Sequence, residues 1–144
     1  MNIIATLILA ICCASFAPTL VKAGGFDGSQ PLLCTVTDVT ECLGGEKCKE
    51  VGAEAINLPR FLWIDVGKKT IQSKKTDDDA RKSQIDHVKN VNGKLMLQGA
   101  EPGGDDIGDG FGWTIAIMED TGEMVLTASG YLAGEVAFGV CTTQ

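Results

Sequence analysis

After residue 23, apolar residues recur at every second position in short runs, and turn-forming residues separate those runs. A period of two is that of a strand with one buried face; a helix needs a period of 3.6, and no segment here sustains such a stripe. Leu32, Cys34 and Val36 alternate with Thr35 and Thr37. In the run 61–66, Leu62, Ile64 and Val66 share a face before Gly67-Lys68-Lys69 turns the chain into Thr70-Ile71-Gln72-Ser73. The segment 85–91 ends at Asn92-Gly93, a pair suited to a two-residue hairpin because both central positions take positive φ. Leu95 and Leu97 then share one side, as do Trp113, Ile115 and Ile117. Asp120-Thr121-Gly122 turns the chain toward Met124, Leu126 and Ala128. Leu132, Val136, Phe138 and Val140 are expected to line the last strand. About eight short antiparallel strands follow from this pattern. The expected fold is all-β: a small antiparallel β-barrel, which removes exposed edges, with a two-sheet β-sandwich as the alternative. One helical turn is expected at 52–57, stopped by Pro59. The charged stretch 68–84 reads as a solvated loop in its middle.

The first residues differ from the rest. An uncharged apolar run ends at Phe16, Pro18 breaks it, and Val21-Lys22-Ala23 offers the small and short apolar residues that a signal peptidase accepts. Residues 1–23 are therefore read as a signal-peptide helix, and 24–144 as a single disulfide-stapled β-domain without a linker. The apolar run is short for a bilayer span, and no Lys or Arg precedes it; a retained anchor and a lipoprotein are the alternatives. The whole chain carries a net charge of −7, one unit more negative once Lys22 is removed. Such a domain repels phosphate backbones and anionic surfaces, which argues against nucleic acid, and against membranes after cleavage, as partners.

Four cysteines remain in the domain: Cys34, Cys42, Cys48 and Cys141. An even number in an exported chain reads as disulfides, and four cysteines allow three pairings. Cys42 and Cys48 flank Leu-Gly-Gly-Glu-Lys, a turn-forming segment that favours Cys42–Cys48 and leaves Cys34–Cys141 to tie the first strand to the last. The spacing contains no C-x-x-C pair, so a zinc site is not expected.

Catalytic chemistry finds little support. His87 is the sole histidine and cannot supply a ligand set or a triad, and no G-x-S-x-G elbow, phosphate loop or dinucleotide fingerprint is present. The acidic, glycine-rich loop 101–110 invites calcium, but Ile107 and Ala116 stand where an EF-hand needs oxygen ligands; Asp77-Asp78-Asp79 is flanked by lysines. No metal or cofactor is expected. The oddest carboxylates are Asp65, which shares a face with Phe61 and Trp63, and Glu135, which shares one with Tyr131, Ala133 and Ala137. If these faces line a lumen, Trp63, Asp65, Trp113, Tyr131 and Glu135 make a ligand pocket; if they face solvent, the carboxylates are ordinary polar-out positions.

The run from Phe26-Asp27-Gly28-Ser29-Gln30-Pro31 to Cys34 resembles the opening of small exported proteins found in Gram-negative bacteria. So do Pro59-Arg60-Phe61-Leu62-Trp63-Ile64-Asp65, Leu97-Gln98-Gly99, Gly112-Trp113-Thr114 and Phe138-Gly139-Val140-Cys141-Thr142, in the same order. The resemblance implies export, to the periplasm or beyond the cell, and the cysteine framework; it implies no activity. Three functions compete: a non-catalytic binding module holding a small apolar or amphipathic ligand in the barrel, an envelope protein-binding inhibitor or accessory subunit, and, least supported because the usual catalytic groups are missing, an enzyme. Ala133, Gly134, Ala137 and Gly139 suit the wall of a cavity; the segment 99–111 suits a protruding loop.

Overall fold

The computed structural model describes residues 25–73, 81–103 and 110–144. The segment 1–23 expected to be a signal peptide, Asp77-Asp78-Asp79 and most of the acidic loop lie outside the described residues. Among the described residues ten strands form: β1 (Leu32–Leu43), β2 (Lys49–Val51), β3 (Phe61–Asp65), β4 (Thr70–Gln72), β5 (Lys82–Gln84), β6 (His87–Val91), β7 (Lys94–Glu101), β8 (Phe111–Met118), β9 (Glu123–Gly130) and β10 (Ala133–Thr143). They make one sheet in the order β5-β4-β3-β1-β10-β9-β8-β7-β6, with β2 pairing beside β3 on β1, and every pairing among the described residues is antiparallel.

The two outermost strands, β5 and β6, are neighbours in sequence. Only Ile85 and Asp86 separate them, so the sheet has to curl until its edges meet, and the result is an all-β half-barrel. Backbone hydrogen bonds hold the crossing: Ile85 N–H donates to Lys69 O at 2.9 Å and Asp86 N–H to Gln98 O at 2.8 Å. Ile85 itself is fully buried and closes the seam. The acidic-basic stretch thus ends in a short strand, β5, which the residues alone do not announce because Lys82-Ser83-Gln84 lacks an apolar face.

Local chemistry accounts for the corners. Asn92 and Gly93 take φ of 48° and 74°, as a mirror-image hairpin turn requires. The one helical turn, Ala53–Ile56, is a 3-10 helix ended by Asn57 in the left-handed region, with the Asn57 N–H directed at the Ala53 and Glu54 carbonyls. Both expected disulfides form. Cys34–Cys141 joins β1 to β10 at directly opposed positions, and Cys42–Cys48 closes the β1–β2 turn.

The interior faces follow the period-two reading on most strands: Leu32, Cys34 and Val36, then Leu62 and Ile64, Leu95 and Leu97, Trp113, Ile115 and Ile117, and Met124 and Leu126 are buried. The last strand is the exception and requires a correction. Its expected inward set faces out, with Phe138 45 % and Val140 50 % exposed, while Ala137 and Cys141 are buried. Register decides this. Cys141 must face inward to reach Cys34, and a period of two then carries Gly139, Ala137 and Glu135 to the same side. Gly139 has to be glycine there, because the Thr35 carbonyl and the Met124 side chain occupy the space of a Cβ.

A bulge in β1 is the second departure. The register shifts between Val36 and Asp38, and the Thr37 hydroxyl donates to the Phe138 carbonyl at 3.2 Å. One extra residue moves the inward set from Leu32, Cys34 and Val36 to Val39 and Glu41. Glu41 therefore lies beside Glu135, its partner across the β1–β10 ladder.

Candidate ligand pocket

Where β7, β8, β9, β10 and β1 run side by side, their registers align one transverse row: Gly99, Trp113, Ala128, Glu135 and Glu41. The row below it is Leu97, Ile115, Leu126, Ala137 and Val39, which is buried throughout. The lower row is a closed hydrophobic floor. The upper row has small residues on either side of Trp113, and above the floor a cavity of about 490 Å³ opens. That volume falls in the range of small-molecule sites. Its apolar wall includes Leu58, Leu62, Ile71, Ile115 and Leu126, and its polar rim includes Arg81, Ser83, Glu101 and Glu135.

Trp113 is placed by its neighbour. Gly99, opposite it on β7, has no side chain, and both the indole ring and the Gln84 carbonyl stand where a Cβ would be. The ring is only 7 % exposed, borders the cavity, and its Nε1–H has no hydrogen-bond partner among the described residues. A buried donor left unpaired costs about 1–3 kcal/mol, so an oxygen acceptor brought to it is stabilised by that amount of relieved penalty.

Glu135 is half-buried at the cavity wall and makes no hydrogen bond or ion pair among the described residues. Burial pushes its carboxyl above the ordinary range, and the charge of Glu41 adds to the effect. Glu41 is itself paired with Lys49 at 3.1 Å. The other rim groups are occupied. The Ser83 hydroxyl donates to Glu101, and the Arg81 guanidinium donates to the Asn57 carbonyl.

Of the five residues singled out in the sequence, the cavity brings together Trp113 and Glu135. Asp65 ends β3 and serves a turn: it accepts from Lys68 N–H at 2.9 Å and pairs with Lys68 Nζ at 3.0 Å. Those hydrogen bonds hold its carboxyl below the ordinary range. Trp63 lies outside the cavity lining, and Tyr131 is 77 % exposed in the β9–β10 turn. His87 is exposed on β6, and among the described residues no group of three or more His, Cys, Asp or Glu side chains is arranged to hold a metal. Sequence reasoning missed Arg81, Leu58 and the Glu41 neighbour of Glu135. The first two come from loops, and the third is brought inward by the bulge.

No protein-family model, curated protein or solved structure matches the chain. The fold and site together define a two-disulfide all-β domain with an open, largely apolar pocket.

Proposed function

We propose that this domain is an exported, non-catalytic binding module that holds a small amphipathic ligand in the half-barrel pocket. The observation that carries the reading is the buried Trp113 Nε1–H, without a partner among the described residues, on a ring at the wall of an apolar cavity. An apolar ligand body fills the space above Ile115 and Leu126, and an oxygen atom of the ligand accepts the indole hydrogen bond. The two disulfides fit an oxidising compartment outside the cytoplasm. Together with the apolar leader and the resemblance to small exported Gram-negative proteins, they support the periplasm or the exterior as the place of action.

Isothermal titration with 1-decanol tests the reading. One saturable equivalent is expected, and Ala128→Phe, which fills the space between Trp113 and Glu135, abolishes it. No saturable heat, or heat that Ala128→Phe leaves unchanged, contradicts a pocket ligand. The accessory-subunit reading draws on a different observation, the outward Phe61, Val125, Phe138 and Val140, and predicts retention of one envelope protein that Phe138→Ser releases.

A further inference from the structure

At the pocket end of the barrel, the wall beside β1 is not one continuous strand. β3 pairs with the first part of β1, from Leu32 to Thr35, and β2 takes its place from Val39 to Glu41. The 3-10 turn follows β2, and Ile56, Asn57, Leu58 and Pro59 line the cavity. This part of the wall is lightly held. Across 44–60 Ala53 is the one buried residue, with Val51, Ile56 and Leu58 packed against the core at partial burial. Among the described residues its ion pairs are Lys49–Glu41 and Arg60–Glu54, both with an exposed cation, and such pairs contribute little. The covalent tie of this segment to the barrel is Cys42–Cys48, at the β1–β2 turn. The two disulfides also differ in access. Cys34 and Cys141 are buried in the core, whereas Cys48 is exposed and Cys42 half-buried. An attacking thiolate has to reach a sulfur, so exposed bridges are the labile ones.

Resting on the pocket reading above, we propose that Cys42–Cys48 is a thiol–disulfide exchange site that controls the pocket. A dithiol opens this bridge selectively, the wall made by β2 and the 3-10 turn loosens, and the ligand is released. One thiolate of the dithiol attacks Cys48 Sγ; the S–S bond breaks, and Cys42 leaves as a thiolate that takes up a proton. The second thiol of the reagent attacks the mixed disulfide, which frees Cys48 as a thiol and leaves the reagent as its cyclic disulfide. Two electrons pass from the dithiol to the protein, while Cys34–Cys141 stays closed and holds β1 to β10. Loop closure bounds the effect. A bridge across a separation of 6 residues shifts the opening of the segment by up to about fortyfold. Apparent affinity scales with the closed fraction, so it falls by no more than that factor.

The test starts from the protein with both disulfides closed, with dithiothreitol as the dithiol, iodoacetamide to mark free thiols and 1-decanol as the ligand probe. As dithiothreitol is raised, Cys42 and Cys48 are expected to be alkylated before Cys34 and Cys141, as peptide masses will show. In the selectively reduced form the dissociation constant for 1-decanol rises by about threefold to fortyfold. Amide hydrogen exchange over 49–58 quickens, exchange in β7, β8 and β9 is unchanged, and reoxidation restores the starting values. The variant Cys42→Ala with Cys48→Ala binds as the reduced form does and no longer responds to dithiothreitol. Alkylation of all four cysteines together overturns the selectivity, and an unchanged dissociation constant after selective reduction overturns the control of the pocket. If 1-decanol binds neither form, the pocket reading fails. Exchange then decides the clasp on its own, and no change over 49–58 on selective reduction overturns it.

Discussion

Removal of the two disulfides, one at a time, should destabilise the domain unequally. Cys34–Cys141 closes a separation of 107 residues and Cys42–Cys48 one of 6. Loop-closure entropy gives about 4.8 kcal/mol for the first and about 2.2 kcal/mol for the second at 25 °C. The pairs are best removed as Cys34→Ala with Cys141→Ala and Cys42→Ala with Cys48→Ala, which leaves no free thiol. Burial pushes the same way: Cys34 is 0 % and Cys141 5 % exposed, while Cys48 is exposed, so the first pair also loses core contacts. For a domain of this size the unfolding entropy is about 250 cal/mol/K, and each kcal/mol moves Tm by about 4 °C. The long bridge should therefore cost about 20 °C and the short one about 9 °C, a gap near 10 °C by differential scanning calorimetry. Equal losses, or a larger loss from the short bridge, would refute the argument that the long bridge restrains the unfolded chain.

Three further outcomes follow from single contacts. Gly99→Ala sets a methyl group against the Trp113 ring and the Gln84 carbonyl; a loss of about 1–3 kcal/mol in urea unfolding is expected, with a shift in tryptophan emission, and a neutral result would mean that Gly99 does not seat the ring. Glu135 has a folded pKa above its unfolded value near 4.5, so the folded state holds the proton longer and stability falls as pH rises through that window; Glu135→Gln should raise Tm at pH 7 and give no gain at pH 3, and a gain of equal size at both pH values would remove ionisation as the cause. Asp65 has its folded pKa depressed, so its contribution is present above about pH 4 and fades as pH falls through the folded value; Asp65→Asn should cost less than about 1 kcal/mol at pH 7 and progressively less as pH is lowered, as chemical denaturation across that range will show.

The strands of this protein are readable where one face is apolar and the other polar. β7, β8 and β9 carry that pattern without interruption, and their buried faces hold Leu95, Ile117 and Met124 as the spacing requires. The pattern misleads on β10, where both faces are apolar enough to be inward. Val136, Phe138 and Val140 are the larger residues, yet the disulfide register turns Ala137, Gly139 and Cys141 to the core. Small residues win that face because the neighbouring backbone comes close, which composition cannot express. β5 and β6 were legible only in part, since Lys82-Ser83-Gln84 is held by its β4 partners and all of β6 is exposed.

The pocket divides along the same line. Trp113 and Glu135 stand out as an aromatic and a carboxylate on strands of apolar neighbours, and both reach the cavity. Asp65 and Trp63 present the same signal, but β3 ends at Asp65 and a turn absorbs its carboxylate. Whether a carboxylate on an alternating strand meets a cavity or a turn depends on where the strand stops. Glu41 carries no signal at all without the Thr37 bulge, since unbroken alternation from Leu32 would turn it outward. Leu58, Arg81 and Ser83 enter from the 3-10 turn and the β4–β5 hairpin, whose positions are set by how far the sheet curls.

The central claim, a ligand seated at Trp113, is tested most directly by the two indole N–H resonances in a proton–nitrogen correlation spectrum during titration with 1-decanol. The chain has two tryptophans, and Trp63 lies outside the pocket, so it is an internal control. The account predicts a saturable downfield shift of the Trp113 indole proton as its hydrogen bond forms, with Trp63 unmoved. A Trp113 resonance that stays in place at saturating probe, or two resonances that move together, would contradict it.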